Sequence, residues 1–368
     1  MPFLKPVFDG CRSVSGVLRG SLLSDETGEQ DDREQHGQKC TPASGSLSIE
    51  IEPERLVRGV RNMSDAREPS ASLLELSHPS SGQKLILAPG AGFCGLSWMV
   101  NDQEYLHLDQ PMDRFLREEH TGGLPLLYPW ANRLRDDHWT FEDIQVDLAE
   151  VPRIHRDSNG RPMHGNLLRW SQWETSATDG GCMAHIDWQA HDELMQAFPF
   201  DHQLRIQWTL DSDGLHVRTS VTAGATRVPI SFGWHPYLVL PGVARDDITL
   251  DLPELKRRSL DDSGLPMKAV EDTTIGGTCA IREKAWDDCF SGISAGDQIM
   301  MRGSGKGLCM TFEEGWRYMQ IYSPEGADYV CIEPMTSVTA SLSDQDSAMP
   351  VVDPGCTFVT AFRINVLS

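Results

Sequence analysis

The sequence predicts an all-β protein built as a large antiparallel β-sandwich. Short apolar runs separated by turn residues recur along the chain, at 73–76, 84–87, 105–108, 185–189, 203–210 and 215–222. Within 204–210 apolar and polar residues alternate, and Asp211-Ser212-Asp213-Gly214 follows as a hairpin turn into the next run. Repeated strands at this spacing are typical of sandwiches and barrels, and we expect a sandwich.

The distribution of helix signals and turn residues supports this fold class. Helical periodicity is scarce, and 192–197 is one of few short helix candidates. The 32 glycines and 22 prolines fall mostly between the apolar runs, as a loop-rich sheet protein requires. Ten tryptophans lie between Trp98 and Trp316, and most are expected in the core because large rings dominate sandwich interiors.

The first 70 residues are predicted to be a disordered or poorly ordered extension. Residues 24–46 are polar and lack periodicity, so burial cannot repay the entropy of ordering them. An alternating run at 47–51 is a possible strand, but charged and small residues follow it. The folded β-sandwich domain is expected to span 71–368.

Composition limits the partners of the chain. Lysine and arginine number 32 against 54 aspartates and glutamates, and the formal charge of −22 repels nucleic acid. No apolar stretch is long enough to span a membrane, and polar residues interrupt the N-terminus where a secretory signal would need an apolar core. The nine cysteines form no CxxC pair, which is typical of a reducing compartment. We therefore expect a cytoplasmic protein without nucleic-acid or membrane partners.

Two segments far apart in the chain carry residues suited to acid–base chemistry. His235 lies within Gly-Trp-His-Pro-Tyr at 233–237, a rigid setting where an imidazole needs a polar partner or a chemical task. Glu333 follows the apolar run 329–332 and precedes Pro334. A carboxylate at the end of a buried strand is costly without a partner or function. A structural role remains open for both residues.

Other segments offer polar groups for ligand recognition. Asn132 and Arg133 follow an apolar stretch; the guanidinium fork suits adjacent hydroxyls or a carboxylate, and the amide both donates and accepts. His164 lies in a loop, and Asp287 and Asp288 are flanked by aromatic residues, which suits sugar hydroxyls. For Asn132 and Arg133 the ordinary alternative is a surface salt bridge. For His164 it is a hydrogen bond to a backbone carbonyl, and for Asp287 and Asp288 it is a turn.

Several other chemistries lack support. The chain contains no GxSxG elbow, phosphate-binding glycine loop or HExxH motif. His155, His164, His185 and His191 lie in one region but lack the tight spacing of metal ligands. No metal site is predicted.

Taken in chain order, these segments resemble the aldose 1-epimerase (galactose mutarotase-like) family. The resemblance extends from about residue 73 to the C-terminus, and the ordered set of motifs is fairly specific although each motif is weak alone. The matching segments are Leu-Ala-Pro-Gly-Ala-Gly at 87–92, Tyr-Pro-Trp-Ala-Asn-Arg at 128–133, His-Gly at 164–165, Phe-Pro-Phe at 198–200, Gly-Trp-His-Pro-Tyr at 233–237, Ile-Glu-Pro-Met-Thr at 332–336 and Pro-Gly at 354–355.

The resemblance implies a galactose mutarotase-like supersandwich that interconverts the α and β anomers of a sugar in a cleft. Glu333 resembles the family's general base and His235 its general acid, while His164 matches a histidine that positions and polarises the substrate. Arg133, beside Asn132, matches a substrate-binding arginine. The resemblance implies that the protein needs no cofactor and that its partner is a small-molecule sugar. We expect a monomer or homodimer.

Two features leave the substrate open. Asp287 resembles the aspartate that binds sugar hydroxyls, although Asp288 is a possible equivalent. Pro334 after Glu333 is shared with the branch acting on hexose 6-phosphates, whereas His-Pro-Tyr at 235–237 favours the free-aldose branch. We expect an aldose 1-epimerase acting on a free hexose or related sugar, with a hexose-6-phosphate 1-epimerase and a non-catalytic carbohydrate-binding sensor as alternatives.

Overall fold

The computed structural model describes residues 60–63, 73–118, 121–267, 273–344 and 348–367. These residues belong to one compact unit that extends over Gln38–Ser368. Most of the predicted N-terminal extension, including the possible strand at 47–51, lies outside the described residues. None of the helices described is long and apolar enough to cross a membrane.

Strands dominate the described chain, as the alternating runs predict. They are β1 Val60–Met63, β2 Leu73–His78, β3 Gln83–Ala88, β4 Cys94–Val100, β5 Gln103–Glu104, β6 Leu126–Leu127, β7 His138–Phe141, β8 Ile144–Asp147, β9 Glu174–Thr178, β10 Gly181–Asp187, β11 His202–Asp211, β12 Gly214–Ala223, β13 Val228–Pro229, β14 Gly233–Trp234, β15 Tyr237–Leu238, β16 Thr249–Arg257, β17 Thr273–Ala280, β18 Trp286–Ser291, β19 Gln298–Gly303, β20 Lys306–Glu314, β21 Tyr318–Ser323, β22 Val330–Met335, β23 Val351–Val352 and β24 Thr357–Leu367.

Helices are few and short in the same ranges. The two α-helices are α1 Met112–Arg117 and α2 Asp192–Ala197, and the second confirms the helix predicted at 192–197. The single-turn 3₁₀ helices are Pro79–Ser81, Pro89–Ala91, Trp188–Ala190, Arg245–Asp247, Ile281–Glu283 and Ser341–Ser343. The all-β fold class is therefore confirmed.

The strands pair antiparallel in one large and one smaller sheet, with two separate strand pairs. The large sheet runs β6-β14-β22-β21-β18-β16-β19-β20-β24-β12-β11-β10-β9, with β15 on β22 and β17 on β16; the smaller runs β1-β2-β3-β4-β5. The predicted hairpin is β11–β12, where Asp211 pairs with Gly214. Buried and more exposed residues alternate along β11 and β12, so one face of this hairpin lies on the core.

Three sequence boundaries differ from the structure for physical reasons. Strand β1 pairs with β2, so the smaller sheet begins upstream of the expected domain start at 71. The run at 105–108 forms a single antiparallel bridge, between Leu106 and Leu238, rather than a strand, because its pairing with β15 extends over only that one residue. The run at 185–189 ends as β10 at Asp187, since the 3₁₀ turn Trp188–Ala190 follows.

Aromatic rings fill the core, as expected for most tryptophans. Five tryptophans are fully buried: Trp98, Trp130, Trp188, Trp208 and Trp234. Trp234 packs edge-on against Trp208 with ring centroids 5.2 Å apart. This packing anchors β14, the strand that leads into His235.

Candidate active site

His235 and Glu333 face each other across neighbouring strands. Gly233 on β14 pairs with Met335 on β22, and Tyr237 on β15 pairs with Cys331 on β22. This antiparallel register puts His235, between β14 and β15, opposite Glu333. The His235 Nε2 atom lies 3.3 Å from Glu333 Oε1. Two segments far apart in sequence thus form one buried imidazole–carboxyl pair.

Gln320 continues this row across the sheet, and Asp287 is joined to it by a side-chain hydrogen bond. Gln320 on β21 pairs with Glu333 on its other side. The Gln320 Nε2 group donates a 2.6 Å hydrogen bond to Asp287 Oδ1 on β18. Asp288 instead contacts Lys284 and lies 3.7 Å from Arg257. Of the two acids left open by the sequence, Asp287 therefore lies on the Glu333 side.

His164 approaches the same pair from a loop held against the Tyr128–Asn132 segment. Its backbone N–H donates to Asn132 O at 2.9 Å, and its ring centroid lies 5.7 Å from that of His235, nearly perpendicular. Its φ of 62° is left-handed, which is costly for a residue with a β-carbon. Gly165 follows at φ 68°, where a β-carbon would sit 1.9 Å from Tyr128 O. Glycine at position 165 is thus required by a close backbone approach, which holds the His164 backbone in place.

Asn132 and Arg133 reach the site from the segment that this loop contacts. Asn132 has φ 54°, and its Nδ2 group donates to the sulfur of Met335 at 3.2 Å. Arg133 Nε donates to Asp157 Oδ2 at 3.0 Å, which fixes the plane of the guanidinium. The Nη groups of Arg133 have no hydrogen-bond partner in the part of the chain that the structure describes, so they are available to a ligand.

Burial displaces the pKa values of the central residues. Burial raises the pKa of Glu333 well above its usual value; the negative charge of Asp287 raises it further, and Arg133 opposes the shift. Burial lowers the pKa of His235 to about 3. The pKa of His164 is lowered well below its usual value by burial and then by the neighbouring His235. In the ligand-free site a neutral carboxyl beside neutral imidazoles is therefore favoured.

Four polar atoms of this cluster are buried without a hydrogen-bond partner among the described residues. They are His235 Nδ1, His164 Nδ1, Glu333 Oε2 and Gln320 Oε1. Leaving such a group unsatisfied costs about 1–3 kcal/mol, so their convergence is typical of a site completed by a ligand or ordered water. Together they offer acid, base and hydrogen-bonding groups to a polyhydroxyl molecule.

The predicted site residues therefore come together, and one further residue joins them. The sequence does not single out Gln320, because a neutral amide in a strand carries no charge signal. The one indication is its position as a polar residue between apolar neighbours in β21. Within the described ranges no group of three or more His, Cys, Asp or Glu side chains is arranged to hold a metal ion.

Comparison with known proteins agrees with this fold and sequence pattern. The sequence model of the family described as aldose 1-epimerase matches residues 72–350. The Slr1438 protein of Synechocystis sp. PCC 6803 is 21% identical, with 83% of this chain and 99% of that chain covered and a TM-score of 0.67. A galactose mutarotase-like protein of Clostridium acetobutylicum is 17% identical, with 84% and 98% covered and a TM-score of 0.70.

A galactose 1-epimerase of Lactobacillus acidophilus NCFM is also similar, at 12% identity, with 84% of this chain and 98% of that chain covered and a TM-score of 0.63. At such identities the solved structures establish a shared galactose mutarotase-like fold. A search of curated protein sequences finds no significant match. The family match covers most of the chain and contains every predicted site residue. The chain belongs to the aldose 1-epimerase family.

Proposed function

We propose that this protein is an aldose 1-epimerase, a cofactor-independent isomerase that interconverts the α and β anomers of a free hexose or related sugar. The observation that carries the proposal is the buried pair of His235 and Glu333, with 3.3 Å between Nε2 and Oε1. Opening a hemiacetal needs one group to take a proton and another to give one. Two titratable groups at this separation can serve both ends of the reaction.

Ring opening proceeds by two proton transfers. The carboxylate of Glu333 takes the proton of the C1 hydroxyl while protonated His235 donates to the ring oxygen. The bond between C1 and the ring oxygen breaks, and C1 becomes a carbonyl carbon. Rotation about C1–C2 presents the other carbonyl face, and reversal of both transfers closes the ring as the other anomer. Every proton returns to its donor, so the cycle needs no redox partner, and we propose no cofactor.

Substrate binding supplies the protonation state that this chemistry requires. Burial leaves the shared proton on Glu333 in the ligand-free site. A hydrogen bond from the C1 hydroxyl favours the carboxylate form of Glu333. The proton then crosses the 3.3 Å gap to His235 Nε2, which makes His235 the acid. The two arrangements of one proton correspond to the resting and reactive forms of the pair.

The surrounding polar groups bind and orient the sugar. Asp287 and Gln320 are joined by a 2.6 Å hydrogen bond and form one hydroxyl-binding edge, in which Gln320 Oε1 is the free acceptor. Arg133 and Asn132 bind hydroxyls from the opposite segment. His164 uses its unpaired Nδ1 to position and polarise the substrate. Holding the reacting atoms in register is a large part of the rate gain available to such a site.

The negative charge around Asp287 favours a free sugar over a phosphorylated one. A cavity of about 600 Å³ adjoins this residue and is lined by four aspartates and two arginines. Arg257, one of the two, already lies 3.7 Å from Asp288. The net negative potential opposes a phosphate group. We further propose that the protein is cytoplasmic and acts as a monomer or homodimer.

Mutarotation assays test the function. Polarimetry should show that the protein accelerates anomer equilibration of glucose or galactose over buffer alone, and more strongly than that of glucose 6-phosphate. Preference for the phosphorylated sugar would establish the hexose-6-phosphate alternative instead. Sugar binding by calorimetry without any rate acceleration would identify a carbohydrate-binding sensor and overturn the enzymatic proposal.

A further inference from the structure

We propose that Tyr237 is a positioning residue for His235: its ring, stacked on the imidazole, directs Nε2 at Glu333 and supports the protonated form of the ring. The catalytic meaning of this inference rests on the proposed function. The geometry itself does not, because it can be measured in the absence of any sugar.

The two rings are parallel and closely packed. Their centroids are 4.5 Å apart and their planes differ by 11°. Both side chains are buried, with His235 6% and Tyr237 4% exposed. At this separation the phenol ring covers one face of the imidazole, and rotation of the imidazole about its own side-chain bond would break the contact.

Tyr237 is itself fixed at several points, so it can act as a rigid platform. Its hydroxyl donates to Thr121 Oγ1 at 2.9 Å. Its backbone N–H donates to Gly123 O at 2.8 Å, and its carbonyl accepts from His107 N–H at 2.8 Å. The opposite edge of its backbone pairs with Cys331 on β22. These contacts leave the phenol ring no alternative position that keeps its hydrogen bonds.

The stack replaces the hydrogen bond that normally orients a functional histidine. In most such sites the second ring nitrogen bonds to a backbone carbonyl or carboxylate, which sets both the ring plane and the tautomer. His235 Nδ1 has no hydrogen-bond partner on any other described residue. Apart from the Glu333 contact, three rings surround His235: Tyr237 lies parallel to the imidazole, and His164 and Tyr322 are inclined steeply to it. Tyr237 is the one that restrains the plane.

The same ring supports the charge that His235 must carry as an acid. The face of an aromatic ring is electron-rich and attracts a cation placed over it. Of the titratable groups around the imidazole, Glu333 also favours the protonated ring, whereas His164 disfavours it when charged, and the Tyr322 ring is inclined at 73° to the imidazole with its centroid 5.9 Å away. Stacking on Tyr237 therefore opposes the effect of burial on the pKa of His235.

Substitutions that remove the ring face, tested on the full-length chain, decide the proposal. Tyr237→Met fills similar space without a face, and Tyr237→Phe keeps the stack and loses only the Thr121 bond. Tyr105→Met is the matched control because Tyr105 is equally buried and its ring packs on Trp98. We expect Tyr237→Met to lower kcat about tenfold or more with little change in KM. The alkaline limb of its kcat profile, where the acid loses its proton, should move to lower pH by about half a unit to one unit. Tyr237→Phe should retain the wild-type kcat and the wild-type pH profile.

Nuclear magnetic resonance of histidine-labelled protein gives a readout that needs no activity. In wild type and Tyr237→Phe, the His235 ring protons should show an upfield ring-current shift and the ring nitrogens a single tautomer. In Tyr237→Met the shift should disappear and the nitrogen signals should average between tautomers. The His235→Asn spectrum assigns the signals.

The outcomes separate this inference from the proposed function. Wild-type kcat, pH profile and nitrogen shifts in Tyr237→Met would overturn the positioning role, as would equal losses in Tyr237→Phe and Tyr237→Met. If Tyr237→Met does not fold, the wild-type spectrum decides, since unshifted His235 ring protons contradict the stack. Failure of the wild type to accelerate anomer exchange would refute the function and leave the stacking result standing.

Discussion

The imidazole of His235 and the carboxyl of Glu333 face each other across adjacent strands, with Nε2 3.3 Å from Oε1. Glu333 is 1% exposed, and Gln320 flanks it on the next strand. The sheet register, rather than a flexible loop, therefore sets the distance between the proposed base and acid. Sites built on strands hold catalytic geometry more closely than sites built on loops.

Removing the charge of Asp287 should alter both binding and titration. In Asp287→Asn, kcat/KM should fall about tenfold or more, because a hydrogen bond to a charged group is worth about 1.5–3 kcal/mol. The charge of Asp287 raises the pKa of Glu333. Asp287→Asn therefore lowers the pKa of Glu333, and the limb of the pH–rate profile that reports the ionisation of Glu333 moves to lower pH. Initial rates across a pH series measure both effects.

The adjacent acid supplies the control for that substitution. Asp288→Asn removes a partly exposed contact with Lys284 and Arg257, and kcat/KM should change less than about fivefold because such pairs are worth at most about 1 kcal/mol. An Asp288→Asn loss equal to that of Asp287→Asn would show that the wrong aspartate has been assigned.

Gln320 should contribute to sugar binding although it carries no charge. Gln320→Leu removes the donor to Asp287 Oδ1 and a free buried acceptor, so we expect kcat/KM to fall about tenfold or more. Gln298→Leu, at an exposed position on β19, is the matched control. Unchanged kcat/KM in Gln320→Leu would exclude Gln320 from the substrate site.

Much of this site was predictable from the sequence, and the remainder depends on strand pairing. His235, Glu333 and His164 stand in distinctive local motifs, and alternating runs such as 204–210 predict the sandwich. No local pattern encodes that His235 stands opposite Glu333, because the register depends on how distant strands meet. Gln320 was missed for the same reason, since its importance comes from its neighbours Asp287 and Glu333. The roles assigned to these residues stay predictions.

Two short segments at the edges of the sheets are likewise not predictable from the local sequence. Strand β1 has the sequence Val-Arg-Asn-Met, which is too short and polar to stand out from the charged segment around it. Residues 105–108 have the composition of a strand, yet they pair with β15 at only one residue, Leu106 with Leu238. Local propensity for β-structure is context-dependent, and tertiary contacts decided both cases.

The glycine after His164 should be indispensable for stability. A β-carbon at Gly165 would lie 1.9 Å from Tyr128 O at a φ of 68°, whereas Gly160 has φ 79° and open space around it. Gly160→Ala should cost about 1 kcal/mol from the backbone alone. Gly165→Ala should cost several kcal/mol, roughly 3 or more, because the backbone must shift. Urea denaturation compares the two variants, and equal costs would contradict the close approach.

The buried carboxyl should make stability fall as pH rises. Glu333 has a raised pKa in the folded state, so above its unfolded pKa the unfolded chain releases a proton that the folded chain retains. The free energy of unfolding therefore decreases with pH by up to about 1.4 kcal/mol per unit, until the folded pKa is reached. Glu333→Gln lacks this penalty, so its stability relative to wild type should improve from pH 5 to pH 8.

Denaturation of both proteins at several pH values checks this relationship. His235 has the opposite sign: its lowered pKa reduces stability as pH falls from about 6.5 towards 3, and His235→Asn should remove that loss. A constant stability difference between Glu333→Gln and wild type across the pH range would mean that Glu333 is not held neutral by burial.

Anomer exchange in the two central variants is the most direct test of the account. The exchange rate between the α and β anomers of C1-labelled glucose or galactose is to be measured by magnetisation transfer, with Glu174→Gln and His138→Asn as exposed controls for charge and imidazole loss. We expect Glu333→Gln and His235→Asn each to lose about a hundredfold or more of the catalysed rate, while both controls retain it. Wild-type exchange rates in Glu333→Gln and His235→Asn would contradict the claim that this pair carries the proton transfers.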